Sequence, residues 1–236
     1  MEAVISAVGL SKHYGSHIAL NGLQMELPKG KIIGLLGPNG SGKTTFLKLC
    51  AGLLTPTRGY VRICGEPVCT ATKAVVSYLP DKTYLSNNQK ISQQLELFRD
   101  FYEDFDFERA VAMLRDLGIS QNAKFGSLSK GNQEKVQLIL VMARRAKLYL
   151  LDEPIGGVDP AARDYILNTI LKNYEPEATV LVSTHLIADV ETVLDEFVFL
   201  HNGKVVLSGD VKQTCQERGQ TLDEIFREVF RCLPSC

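Results

Sequence analysis

The chain has 236 residues, 26 Lys and Arg against 27 Asp and Glu, a formal net charge of −1, and 45% apolar residues. That is the composition of an ordinary globular protein, and it excludes a disordered chain, a collagen-like fibre and a tail of one charge sign. So even a balance leaves no basic footprint for nucleic acid, whose phosphates bind clustered Lys and Arg.

In chain order, residues 19–27 alternate apolar and polar and stop at Pro28-Lys29-Gly30, a turn signal. Residues 31–36 read as a short buried strand, rich in Ile and Leu. A helix is predicted over 44–54, with Phe46, Leu47, Leu49, Cys50, Leu53 and Leu54 on its apolar face. Residues 60–63 and 74–79 are strand candidates on either side of Gly65-Glu66-Pro67. From 92 to 117 the period becomes helical, through Leu95, Phe98, Phe101 and Tyr102, then Ala110, Met113, Leu114 and Leu117. It ends at Gly118 as a C′ glycine. The acidic, aromatic stretch 99–108 reads as a solvated turn between two helices, with aromatic rings buried beneath. Helix and strand then alternate, with helices over 132–145, 161–173 and 186–194 and strands over 148–151, 179–183 and 197–201. Such alternation implies parallel strands joined by helical crossovers, a three-layer α/β fold.

No apolar run approaches the roughly twenty residues a membrane-crossing helix needs, and residues 136–143 are already interrupted by Gln137. The N-terminus lacks the basic segment and long apolar core of a secretory signal. Cys50, Cys64, Cys69, Cys215, Cys232 and Cys236 are scattered without CxxC spacing, which reads as incidental thiols of a reducing cytosol.

Gly37-Pro38-Asn39-Gly40-Ser41-Gly42-Lys43-Thr44-Thr45 matches G-x-x-x-x-G-K-[ST] between a strand and a helix, the context this motif requires. A triphosphate needs several converging donors, which consecutive backbone N–H groups in a glycine-rich loop supply. The helix that follows turns its positive end toward the anion. Lys43 can reach the β- and γ-phosphates, and Thr44 can place its hydroxyl on Mg²⁺. Downstream, Leu148-Tyr149-Leu150-Leu151-Asp152-Glu153 is an apolar strand ending in two carboxylates. Asp152 suits the Mg²⁺ shell and Glu153 the polarising of an attacking water.

With these motifs in place, the chain resembles the ATP-binding cassette (ABC) family, in particular the ATP-binding subunits of bacterial transporters, over nearly its whole length. Leu128-Ser129-Lys130-Gly131-Asn132-Gln133 looks like the family signature LSGGQ, Gly156-Gly157-Val158-Asp159 like its D-loop, and His185 after Ser183-Thr184 like its switch histidine. The resemblance implies an α/β, RecA-like P-loop core with an N-terminal antiparallel β subdomain and a helical insert. It divides the chain into a nucleotide-binding core with β subdomain (1–85), a helical subdomain (86–127), the rest of the core (128–210) and a short helical tail (211–236). It assigns Tyr14 to stacking on adenine, and Ser129, Gly131 and Asn132 to the phosphates of an ATP held by a second, head-to-tail subunit. Catalysis falls to Glu153, His185 and Lys43, and Mg²⁺ to Thr44, Asp152 and Asp81. Asp81, Lys130 and Asn132 depart from the family pattern: Asp81 stands where a Gln is usual and can still ligate Mg²⁺, and in the signature Lys130 replaces a Gly and Asn132 a Gln. His13, His17 and His201 fit no motif and default to the surface. The expected protein is a transport-coupled ATPase that uses ATP and Mg²⁺. It would work as a homo- or heterodimer and dock through its helical subdomain onto separate membrane permease subunits at the inner face of the cell membrane. The short tail and the Asp81 and Lys130 variants resemble small bacterial exporter-type subunits, and that resemblance implies export. The alternative is a soluble ABC ATPase of a cytosolic assembly complex.

Overall fold

The computed structural model of the chain describes residues 3–157 and 159–231. Val158 of the D-loop-like segment, Cys232 and Cys236 lie outside the described residues. The first part contains strands β1 (Ala3–Tyr14), β2 (His17–Pro28) and β3 (Ile32–Leu36), helix α1 (Lys43–Cys50), strands β4 (Arg58–Ile63) and β5 (Glu66–Pro67), and a short helix α2 (Thr70–Ala74). Strand β6 (Val76–Leu79) and helices α3 (Ile91–Phe101), α4 (Phe107–Asp116) and α5 (Lys130–Met142) follow, then β7 (Leu148–Asp152), α6 (Pro160–Asn173) and β8 (Thr179–Thr184). The last part holds α7 (Ile187–Val190), β9 (Glu196–His201), β10 (Lys204–Asp210), α8 (Val211–Arg218) and α9 (Leu222–Arg231).

Two sheets form. An antiparallel sheet runs in the order β2-β1-β4-β5, and a six-stranded sheet in the order β10-β9-β3-β8-β7-β6. The second is parallel except for β10, which pairs antiparallel with β9. Its central strands are buried on both faces, as crossover-connected parallel strands must be, and they feed two cores by alternation. Ile32, Tyr149, Leu151, Val180, Val182, Phe197 and Phe199 face one core with α3, α4 and α5. Ile33, Leu35, Leu148, Leu150, Leu181, Val198 and Leu200 face the other with α1 and the antiparallel sheet.

Two expected helices are shorter in the structure. Helix α1 stops at Cys50, because Gly52 takes φ 66 and the amides of Gly52 and Leu53 turn back to the carbonyls of Leu49 and Lys48. These are the paired bonds of a glycine-terminated helix end. They leave Leu53 58% exposed instead of on the buried face. Helix α7 covers only Ile187–Val190 of 186–194 and passes into a 3-10 turn at Glu191–Val193. Gly118 adopts φ 65 beyond α4, with Gly118 and Ile119 bonded back to Arg115 and Leu114. The 99–108 turn is less solvated than its composition suggests, since Asp104 and Asp106 pair with Arg144 and Arg145.

Candidate active site

The phosphate loop leaves the C-terminal end of β3 and enters α1. Gly42, the residue before α1, takes φ 107, and a Cβ there would lie 2.5 Å from the Ala19 carbonyl oxygen. At Gly37 a Cβ would lie 2.3 Å from the carbonyl oxygen of Leu200. Only glycine fits either place. Among the described residues no side chain caps the start of α1, so its first amides remain directed at the loop. Lys43 is buried and folds its ammonium onto the loop, donating to Gly37 O at 2.8 Å and Pro38 O at 3.2 Å. Burial lowers its pKa, and the carboxylate of Glu153, 3.4 Å away, opposes that shift. The Ser41 hydroxyl is buried and has no hydrogen-bond partner among the described residues, a polar atom ready for an anionic guest.

The acids stand at the end of β7. Asp152 is 1% exposed, and its Oδ1 accepts hydrogen bonds from Thr44 Oγ1 at 3.0 Å and Ser183 Oγ at 2.7 Å. Burial pushes its carboxyl up, the two hydroxyls pull it down, and the nearby charges of Asp81 and Glu153 push it up again. Glu153 is the first residue past the strand and sits at φ 49, a left-handed conformation uncommon outside glycine. Its amide donates to Ser183 O at 3.0 Å, which holds the turn against β8. The turn aims the carboxylate between Lys43 and His185, whose Nδ1 lies 3.0 Å from Glu153 Oε2.

A cleft of about 610 Å³ brings together Asn39, Gly40, Ser41, Gly42, Lys43, Thr44 and Thr45 with Tyr14, Asp81, Glu153 and His185. Tyr14 is 46% exposed at the rim of the cleft, with Lys12 Nζ lying over its ring 5.3 Å from the centroid. Sequence reasoning missed His17, which lines the same cleft because it pairs with Tyr14 across the β1–β2 turn. It also missed Ser183, although the strand-end hydroxyl opposite Asp152 was visible in Ser183-Thr184-His185. Ser129, Gly131 and Asn132 do not line the cleft. Ser129 caps α5, its Oγ accepting from the Asn132 amide at 3.4 Å, and among the described residues nothing lies within 4 Å of where a Gly131 Cβ would stand. Thr44 and Asp152 offer a hydroxyl and a carboxylate side by side, hard oxygen donors that fit Mg²⁺.

A glycine-built phosphate loop at the end of a central parallel strand, with an acid-tipped strand in the same sheet, defines a P-loop nucleoside triphosphatase. The family model for ABC transporters matches residues 20–156, more than half of the chain. An ABC transporter ATP-binding protein of Methanocaldococcus jannaschii is 32% identical over 222 residues, 92% of this chain and 81% of the relative. A Nod factor export ATP-binding protein of Burkholderia orbicola is 32% identical over 215 residues, 88% of this chain and 71% of that one. A solved ATP-binding subunit of an ABC transporter superposes with a TM-score of 0.86 at 28% identity, covering 96% of this chain and 99% of its own. The chain belongs to the ABC transporter family, as an ATP-binding subunit and transport-coupled ATPase. Among the described residues, no helix is long and apolar enough to cross a membrane.

Proposed function

We propose that the chain hydrolyses ATP in a head-to-tail pair, with a second copy or a related subunit, to drive export through separate permease subunits at the inner face of the membrane. The observation that carries the pairing is the separation within one chain. Lys43, Glu153 and His185 converge on one cleft, whereas Ser129, Gly131 and Asn132, at the start of α5, do not line it and are left for a partner's nucleotide. In this reading the loop amides and Lys43 hold the phosphates, Tyr14 stacks on the adenine, and Thr44, Asp152 and Asp81 hold Mg²⁺. The ion, when bound, offsets charge on the β- and γ-phosphates. Glu153 orients and deprotonates water, and His185 holds the Glu153 carboxylate and reports the γ-phosphate.

The division at 86–127 and the tail from 211 is proposed with it. An apolar groove of about 490 Å³ between the end of α1 and α3 supports permease docking there, since Leu53, Tyr84, Leu97 and Phe101 are all exposed along it. Export is favoured by the likeness to the Nod factor export protein. The test is Glu153→Gln. Steady-state ATPase is expected to fall at least about 100-fold, with an ATP-bound dimer accumulating in size-exclusion chromatography. Undiminished turnover would overturn the assignment.

A further inference from the structure

Beside the acids lies a second, much smaller space of about 30 Å³, walled by Pro80, Asp81, Glu134, Gln137, Asp152 and Glu153 among others. Four of these side chains are carboxylic. Gln137, projecting from α5, is the one carboxamide there among the described residues. It is 8% exposed, its Oε1 is fully buried, and no hydrogen bond to its carboxamide is present among the described residues. An unpaired buried amide is destabilising, so a packed helix does not hold one beside charged groups without a partner.

The space admits one water, since a single molecule needs roughly 10–15 Å³ of such volume and two to four polar neighbours. Water also answers the chemistry. Ionised carboxylates only accept, whereas a carboxamide has both a donor and an acceptor end, and a water complements either end while donating to an acid.

We propose that Gln137 is a positioning residue for ATP hydrolysis, anchoring one water between α5 and the Asp81 and Glu153 carboxylates and thereby fixing the direction of Glu153. The proposal rests on the reading of Glu153 given above. It also links the helix that begins at Ser129 to the acid end of the site. Because Asp81 brings a carboxylate and no amide to this corner, the neutral donor comes from α5.

The test uses Gln137→Met, which keeps length and packing but removes both polar atoms, and Gln137→Asn, which keeps a shorter carboxamide. Gln137→Met is expected to lower kcat about ten-fold, with KM for ATP within about two-fold and the melting temperature preserved. Gln137→Asn is expected to recover part of the loss, which a packing role would not produce. A crystal structure of the unaltered chain at a resolution that shows waters should contain one ordered molecule bridging Gln137 and an acid, absent in Gln137→Met. An unchanged kcat in Gln137→Met, or no water in the unaltered chain, overturns the proposal. In a Glu153→Gln background, Gln137→Met should add no further loss. If Glu153→Gln itself keeps turnover, the reading of Glu153 fails, while the bridging water still decides for or against Gln137.

Discussion

Arg144 follows helix α5 and is 2% exposed, with every part of its guanidinium engaged. It donates to Asp104 at 2.8 and 3.0 Å, to Val76 O at 2.6 Å and to Ala74 O at 2.5 Å, and its planar face lies 3.8 Å from the Tyr102 ring centroid. The partners come from the end of α2, the start of edge strand β6 and the turn between α3 and α4, so one side chain ties the helical segment to the sheet. Arg144→Met keeps the apolar stem and removes the fork. Two backbone carbonyls lose their donor, at about 1–3 kcal/mol each for a buried group. The ion pair contributes less than a fully buried one, because Asp104 is 23% exposed and water takes up part of its charge. Together these give a loss of about 4 kcal/mol, which for a chain of this size is a fall in Tm of about 10 °C. Arg144→Lys should recover little, since a point charge cannot serve three acceptor groups in one plane. Equilibrium urea unfolding and circular-dichroism melts would measure this. A loss below about 1 kcal/mol for Arg144→Met would refute the reasoning, as would full recovery by Lys.

Three further outcomes follow from the site. Asp152→Asn should raise the Tm of the nucleotide-free chain at pH 7, because the native state holds that carboxyl above its ordinary range, mainly through burial. The penalty on the ionised form is full above the raised native pKa and vanishes below the unfolded value. The gain, followed by melts across pH, should therefore shrink as pH falls. Glu153→Gly should be more stable than Glu153→Gln by about 1 kcal/mol, read from urea midpoints, since glycine accepts the left-handed backbone at 153 and both variants give up the same carboxylate. Gly42→Ala should abolish ATP binding in a titration with a fluorescent ATP analogue, because its Cβ would sit 2.5 Å from the Ala19 carbonyl oxygen at φ 107 and force the loop off the helix start.

What the sequence made legible follows from how far each requirement reaches along the chain. The phosphate loop was readable because its demands are contiguous: glycines for a backbone fold, then Lys43 and Thr44 at fixed offsets. Strands β3, β7, β8 and β9 were readable because burial on both faces writes an unbroken apolar run. Strand β1 carried no clean alternation, since Gly9 at φ 56 and register shifts between Ala7 and Leu10 interrupt its period. Strand β10 was hidden as an edge strand whose residues are at best half-buried. Asp104 and Asp106 looked solvated because their arginines lie some forty positions away in the chain. His17 reached the cleft only through a hairpin pairing, and Gln137 only through the packing of α5 against two strand ends. The phosphate end of the site, made of backbone and its immediate neighbours, is a local property of the chain. The acid end is assembled from β6, α5, β7 and β8, so its tuning depends on residues that no motif marks. Substitutions that alter the rate without touching the nucleotide should therefore concentrate at that acid end.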